Sequence, residues 1–337
     1  MDLLAELGAD LPVLAAPMAG GPTTVALVDA AATARSFGFL AAGYKSPETL
    51  AGELEAVGSE RFGVNLFAPA PVPVDLAAYR AYRERLLPLA ARFEVELPEV
   101  PVEDDDAWGA KVDLLVAAAP RVVSFTFGLP DAESAARLRA AGCLLAQTVT
   151  DPHEARLAAD AGLDVLVVQA PAAGGHSGTF TPERPIGSSP LPDLVRAVLA
   201  VADLPVIAGG GVGGSADVRV AMAAGASAVA VGTLLLLADE AGTSATYRGA
   251  LTGAGRGDPV LTRAYSGRPA RGLPTAFMAA HDAAAPLGYP ALHHLTTPIR
   301  RAAAAAGDAE NINLWAGTGY RAATAAPAAQ ILSALAR

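Results

Sequence analysis

The run Gln169-Ala-Pro-Ala-Ala-Gly174-Gly175-His176-Ser-Gly178 places an imidazole directly after two glycines. Imidazole is the side chain whose protonation is poised near neutral pH, so His176 is a candidate for chemistry in this loop. A short apolar run, 165–168, precedes it. That pattern is a buried strand handing off to a loop whose backbone approaches a ligand closely. Two further apolar runs end in glycines: Gly209, Gly210 and Gly211 after 205–208, and Gly232-Thr233 after 228–231. Loops of that kind let backbone N–H groups reach phosphate oxygens, and a helix start adds favourable potential. Tight turns would need glycine as well, so the residues alone leave both readings open. Asn65 and Gln147 sit among apolar residues, where an amide must find partners on a heterocycle edge or on the backbone. No Walker lysine pattern occurs, which argues against a P-loop site.

The remaining reactive side chains read as structural. His153 lies at a helix start, and His281, His293 and His294 fall in a helical tail, where surface or packing roles are expected. The one cysteine, Cys143, cannot form an internal disulfide and reads as a buried thiol. No Cys/His cluster has zinc spacing.

Positioning these groups requires a scaffold with many strand ends on one side. Apolar runs at 12–16, 39–42, 62–66, 122–127, 144–149, 165–169, 205–208 and 228–231 alternate with alanine-rich helical patterns. Their unbroken hydrophobicity is that of parallel strands covered on both faces. Eight such units predict an α/β fold, a TIM (β/α)8 barrel over 1–252, whose active site lies at the C-terminal ends of the strands. Two segments break the rhythm. An insertion after strand 3, about 70–105, holds a charged helical stretch and a proline- and acid-rich run, and predicts a solvated cover over the mouth or a surface excursion. From 253 to 337 the chain predicts a C-terminal helical extension that packs on the barrel and lends loops to its mouth.

Hydrophobic residues make up 52% and charged ones 17%, enough for a large core and too few charges for disorder. A net charge of −10 argues against a nucleic-acid partner. The richest apolar run, 226–238, is shorter than a membrane span needs, and the N-terminus lacks the basic start of a signal peptide. The expectation is a cytoplasmic enzyme acting on a small molecule, monomeric or homodimeric.

The ordered set Pro17-Met18-Ala-Gly-Gly21, Asn65-Leu-Phe67, Gly174-Gly175-His176-x-Gly178, Ala208-Gly-Gly-Gly211, Val231-Gly232-Thr233, Tyr265-Ser-Gly-Arg268 and Trp315-Ala-Gly317 resembles the nitronate monooxygenase family, across nearly the whole chain. The resemblance implies a TIM barrel holding FMN. Ala16, Pro17, Met18, Asn65 and Gln147 would line the isoalloxazine. Gly174, Gly175, Gly209, Gly210, Gly211, Gly232 and Thr233 would hold ribityl and phosphate, with Gly317 and Thr318 as further cofactor contacts. Tyr265 and Arg268 would meet substrate, and His176 would be the base. The implied reaction is oxidation of alkyl nitronates, or of nitroalkanes after proton removal, by O2 to a carbonyl compound and nitrite through a flavin semiquinone. An NAD(P)H-dependent FMN reductase acting on quinones or enoyl thioesters is the alternative on the same barrel. A cofactor-free lyase or isomerase, its glycine loops holding the substrate's own phosphate, is a third. Two departures stand out. The run 33–39 differs from the glycine-rich stretch of many relatives, which would reshape the pocket wall, and Thr318 stands where many carry glutamine.

Overall fold

The structure, a computed structural model, describes residues 1–253 and 255–337. Eight parallel strands close into a barrel: β1 (Val13–Ala15), β2 (Gly38–Ala41), β3 (Phe62–Phe67), β4 (Val122–Thr126), β5 (Leu144–Val149), β6 (Val165–Gln169), β8 (Val206–Gly209) and β9 (Ala228–Val231). Closure runs through β1 and β9, where Leu14 faces Ala230 in register. The short strand β7 (Gly175–His176) lies outside the barrel. It pairs antiparallel with β11 (Ala270–Gly272), which pairs in turn with β10 (Val260–Thr262).

The lower halves of the strands are apolar on both faces because the faces meet different layers. Leu14, Phe39, Val122, Ala146, Val165, Ile207 and Ala228 meet inside the barrel and plug its lower half, together with Leu3 and Leu7 of helix α1 (Leu3–Leu7). Their neighbours Val13, Val64, Val123, Leu145, Leu166, Val206 and Val229 point outward into the main core beneath the helices. Counting by two up each strand from the plug reaches the residues that face the upper lumen. The atypical run 33–39 belongs to the lower end: Phe37 and Phe39 are part of the plug, and Ser36 Oγ donates to Val13 O. It does not form pocket wall.

The outer helices are α2 (Val25–Thr33), α3 (Pro47–Ala56), α5 (Trp108–Ala118), α6 (Ala132–Ala140), α7 (Pro152–Asp160), α8 (Leu191–Leu199) and α9 (Ser215–Ala223). The starts of α2, α3, α6 and α7 carry a side-chain cap; Asp151 Oδ1 accepts from Glu154 N at 2.9 Å, with Pro152 in the first turn. The place between α9 and α2, where an eighth helix belongs, is taken by α13 (Ala328–Leu335), which packs on α2, α9 and β1. About a quarter of the chain thus leaves the barrel after β9, builds over its mouth, and returns to close it. The expected extension is therefore partly barrel.

The insertion after β3 is not a solvated excursion. Its helix α4 (Leu76–Arg92) buries Tyr79, Tyr82, Leu86 and Ala90 in a second core. The partners are Tyr265, Phe277 on α11 (Ala276–His281), and Leu292, Leu295 and Ile299 on α12 (Ala291–Ala305). Burying side chains of this size contributes about 1.5–3 kcal/mol each, which fastens insertion and extension into one cap. The charged residues Arg80, Glu84 and Arg85 lie on the opposite, solvent face of α4. A further helix, α10 (Ala245–Thr252), joins β9 to the cap. Among the described residues no helix is long and apolar enough to cross a membrane.

Candidate active site

A cavity of about 670 Å³ opens at the C-terminal ends of the strands, between barrel and cap. His176, Asn65, Gly174, Gly175, Gly209, Gly210, Gly211, Gly232, Thr233, Ala16, Pro17 and Met18 all line it. Ala16 and Thr233, 217 positions apart in the chain, are thereby brought to one site.

Two glycine loops form one end. The N–H groups of Gly210, Gly211 and Thr233 have no hydrogen-bond partner within the chain among the described residues. Thr233 opens a single 3-10 turn, Thr233–Leu235, so its N–H stands at a helical start. A side chain at Gly210 would place its Cβ 2.9 Å from Ala170 O, and the backbone there has φ +109°. The cradle is closed to any residue with a Cβ and supplies unpaired donors, which suits a phosphate.

Asn65 reaches the lumen from β3. Its Nδ2 donates to Ser124 Oγ at 2.9 Å and Thr126 Oγ1 at 3.0 Å. The donor side of the amide is thereby occupied, and its carbonyl oxygen is left to the cavity. Gln147, by contrast, does not line the cavity. Ala146 and Thr148 flank it on β5 and face inward, so the pleat turns Gln147 outward, where Nε2 donates to Phe125 O and Thr148 O. Thr148 and, on the next strand, Gln169 take the inward positions.

Gln169 fastens the loop that carries His176. Its Nε2 donates to His176 O at 3.1 Å and its Oε1 accepts from Gly178 N at 2.7 Å. Glu154, buried at the start of α7, accepts from Thr179 Oγ1 and Phe180 N, both at 2.7 Å. Pairing with β11 holds the other edge, with Ala270 opposite His176. The loop's glycine at 174 lies against chain 316–317: a Cβ there would stand 2.5 Å from Gly317 N.

His176 Nε2 lies 2.7 Å from Ser266 Oγ, and the ring packs edge-on to Trp315 and Phe127. Burial first, then the Arg268 and Arg300 charges, push the imidazole down to about 3, so it is neutral at physiological pH. Two cavity residues adopt left-handed backbone, Tyr44 (φ 67°) and Phe127 (φ 81°), which costs about 1–2 kcal/mol each. Both are held from behind. Asp106 Oδ1 accepts from Tyr44 N at 2.9 Å while its other oxygen pairs with buried Lys111 at 2.7 Å. The Arg268 guanidinium lies 4.0 Å from the Phe127 ring centroid.

Tyr265 and Arg268, expected at the substrate, are instead fully buried and do not line the cavity. Tyr265 OH hydrogen-bonds Ile312 O and Thr275 Oγ1, both at 2.7 Å, inside the cap core. Arg268 donates from Nε to Ser177 O at 3.3 Å and from Nη2 to Thr179 O, clamping the loop that carries His176. Gly317 and Thr318 are also withdrawn from the lining. Gly317 N donates to Thr233 Oγ1 at 3.0 Å and Thr318 N to Ala172 O at 3.1 Å, so they back the glycine loops.

The cap contributes cavity residues that the motifs did not flag. His293, Thr297, Arg300, Arg301 and Ala304 of α12 share one face at helical spacing. His293, expected to serve only packing or the surface, stacks on Tyr44 with centroids 4.0 Å apart and lines the cavity. Arg300 bonds only neutral partners, including Thr297 Oγ1 at 2.7 Å and Asn313 Oδ1 at 3.1 Å. Burial lowers its guanidinium to about 10, which leaves it charged. Lys45 and Arg301 add two more cations, Lys45 already paired with Glu53, and among the described residues no Asp or Glu lines the cavity. In a chain of net charge −10 that is a deliberate positive site. The i, i+4 spacing of α12 was the available signal for it. Cys143 is buried with its thiol pushed up to about 11, and takes no part.

A closed parallel barrel with a glycine cradle of unpaired N–H groups and a neutral buried imidazole at the C-terminal ends of its strands defines the class, a (β/α)8 enzyme. The pattern of the family described as "Nitronate monooxygenase" matches residues 2–337. A nitronate monooxygenase of Pseudomonas aeruginosa is 37% identical over 98% of this chain and 96% of its own length. A probable nitronate monooxygenase of Staphylococcus aureus (strain Newman) is 33% identical over 97% and 94%. Among solved structures, nitroalkane oxidase from Streptomyces ansochromogenes superposes with a TM-score of 0.93 at 40% identity, covering 100% of this chain and 97% of that one. FabK from Thermotoga maritima shares the fold, with a TM-score of 0.77 at 23% identity over 99% and 94%. The chain belongs to the nitronate monooxygenase family, and is an oxidoreductase.

Proposed function

We propose that this protein is an FMN-dependent monooxygenase that oxidises alkyl nitronates with O2 to a carbonyl compound and nitrite, in the cytoplasm. The observation that carries the reading is the cavity in which His176 shares a wall with Arg300 and no carboxylate. FMN fits the residues present. The unpaired N–H groups of Gly210, Gly211 and Thr233 suit its phosphate, and Asn65 with the backbone of Ala16, Pro17 and Met18 suits the ring edge. When bound, the flavin supplies the electron acceptance from substrate and the reaction with O2.

The chain's own residues supply the rest. Arg300 compensates the nitronate charge without a competing carboxylate partner. Phe67, Phe127 and Trp315 wall the site with apolar surface, which strengthens that attraction by excluding water. His176, neutral, is available to take the α-proton of a nitroalkane; a preformed nitronate has no proton to lose. Transfer creates an imidazolium and an anion together, so each compensates the charge that burial alone would penalise.

The test is oxygen uptake and nitrite release by the yellow, FMN-loaded protein with propionate 3-nitronate. Both are expected, with loss of nitroalkane turnover in His176→Ala. A yellow protein that consumes no O2 with this substrate would overturn the reading. Rapid anaerobic bleaching by NADH or NADPH would favour a flavin reductase instead.

A further inference from the structure

Ser266 sits between Tyr265 and Arg268 in the sequence, is 2% exposed, and touches the base rather than the cavity. Its oxygen has three neighbours: His176 Nε2 at 2.7 Å, Arg268 N at 3.3 Å and Arg268 O at 3.3 Å. Arg268 N–H has only a proton to offer, so it donates to Ser266 Oγ. The one hydroxyl proton must then choose between Arg268 O and His176 Nε2. The carbonyl of Arg268 belongs to a residue with no exposure and receives no other hydrogen bond among the described residues. Turning the hydroxyl toward the imidazole would orphan it, a cost that buried carbonyls rarely bear. Donation to Arg268 O leaves every group paired, provided that His176 Nε2 carries the proton and donates to Ser266.

The other ring nitrogen follows from this. His176 Nδ1 has no partner in the described chain, and it is not among the side-chain atoms sealed from solvent without one. It therefore opens to the cavity. We propose that Ser266 is a positioning residue that fixes His176 as the Nε2–H tautomer, so that the cavity meets a bare Nδ1. This deepens the proposed function and rests on it for the substrate. A bare nitrogen accepts a proton and cannot hydrogen-bond a nitronate oxygen, so His176 is a base toward neutral nitroalkanes. In that step the α-C–H bond breaks, its electron pair becomes the C=N bond of the nitronate, and the proton joins Nδ1. Discrimination between nitroalkane and nitronate is thereby assigned to a serine outside the cavity.

The decisive measurement is the tautomer, read by long-range 1H–15N correlation on 15N-histidine-labelled, FMN-loaded protein at neutral pH. His176→Gln identifies the signals. Nε2 protonated and Nδ1 bare is the expected pattern. Ser266→Ala should show a second tautomer, and its ratio of kcat/KM for nitroethane over that for ethyl nitronate should fall about 10²-fold. Ser266→Thr, which keeps the hydroxyl, should restore both. A protonated Nδ1 in the wild type overturns the proposal, as does a Ser266→Ala enzyme that loses both substrates equally. If the wild type turns over neither substrate, the functional reading fails while the tautomer still decides the role of Ser266.

Discussion

Replacing Arg268 by methionine separates a clamp from a substrate contact. In the structure its guanidinium holds Ser177 O and Thr179 O and lies 4.0 Å from the Phe127 ring centroid, wholly out of solvent. Hydrogen bonds to a charged donor contribute about 1.5–3 kcal/mol each, and a desolvated cation–π contact about 2 kcal/mol. Methionine refills most of the volume and also removes a liability, since Nη1 is buried without a partner. What persists is two orphaned carbonyls, so the net loss is about 2–4 kcal/mol of folding stability. Urea denaturation should show a lower midpoint at unchanged slope. With the base loop loosened, kcat should fall while KM changes little. An Arg268→Met enzyme with wild-type stability and a KM raised tenfold or more would refute this account. It would return Arg268 to the substrate.

Three further outcomes follow from the geometry. Gly210→Ala forces a Cβ to within 2.9 Å of Ala170 O at a φ of +109°, so FMN should bind at least about 10-fold more weakly by fluorescence titration, with the barrel still folded. Arg300→Gln removes a charge that no carboxylate shares, and should raise KM for an anionic nitronate about 10-fold, near 1.4 kcal/mol, in oxygen-uptake assays. His176 is held near 3 when folded but titrates near 6.5 when unfolded, so only the unfolded chain takes its proton between those values. This stabilisation is complete above about pH 6.5 and is lost as pH falls toward 3. Denaturation of His176→Gln should therefore weaken less steeply over that window than the wild type.

Much of the barrel was legible in the sequence because its physics is local. Runs such as 165–168 and 228–231 are apolar at every position, as strands covered on both faces are. Glycine loops at strand ends likewise announced the cradle at Gly210, Gly211 and Thr233, since backbone approach demands glycine wherever it occurs. What stayed hidden was direction and company. A motif marks Tyr265 and Arg268 without saying that their side chains point into a cap core, and a polar Gln147 reads as a ligand until the pleat is counted from Ala146. Nor does spacing reveal that α13 crosses back to fill the eighth helix position, or that β11 pairs with the two residues carrying the base. Those outcomes come from long-range packing. The apolar face of α12 finds that of α4, and their union sets Arg300 and His293 over strands that lie far away in the chain. Local residue chemistry chose the Gly-Gly-His loop and the cradle. Tertiary contact chose the charge, the neutrality and the serine that surround them.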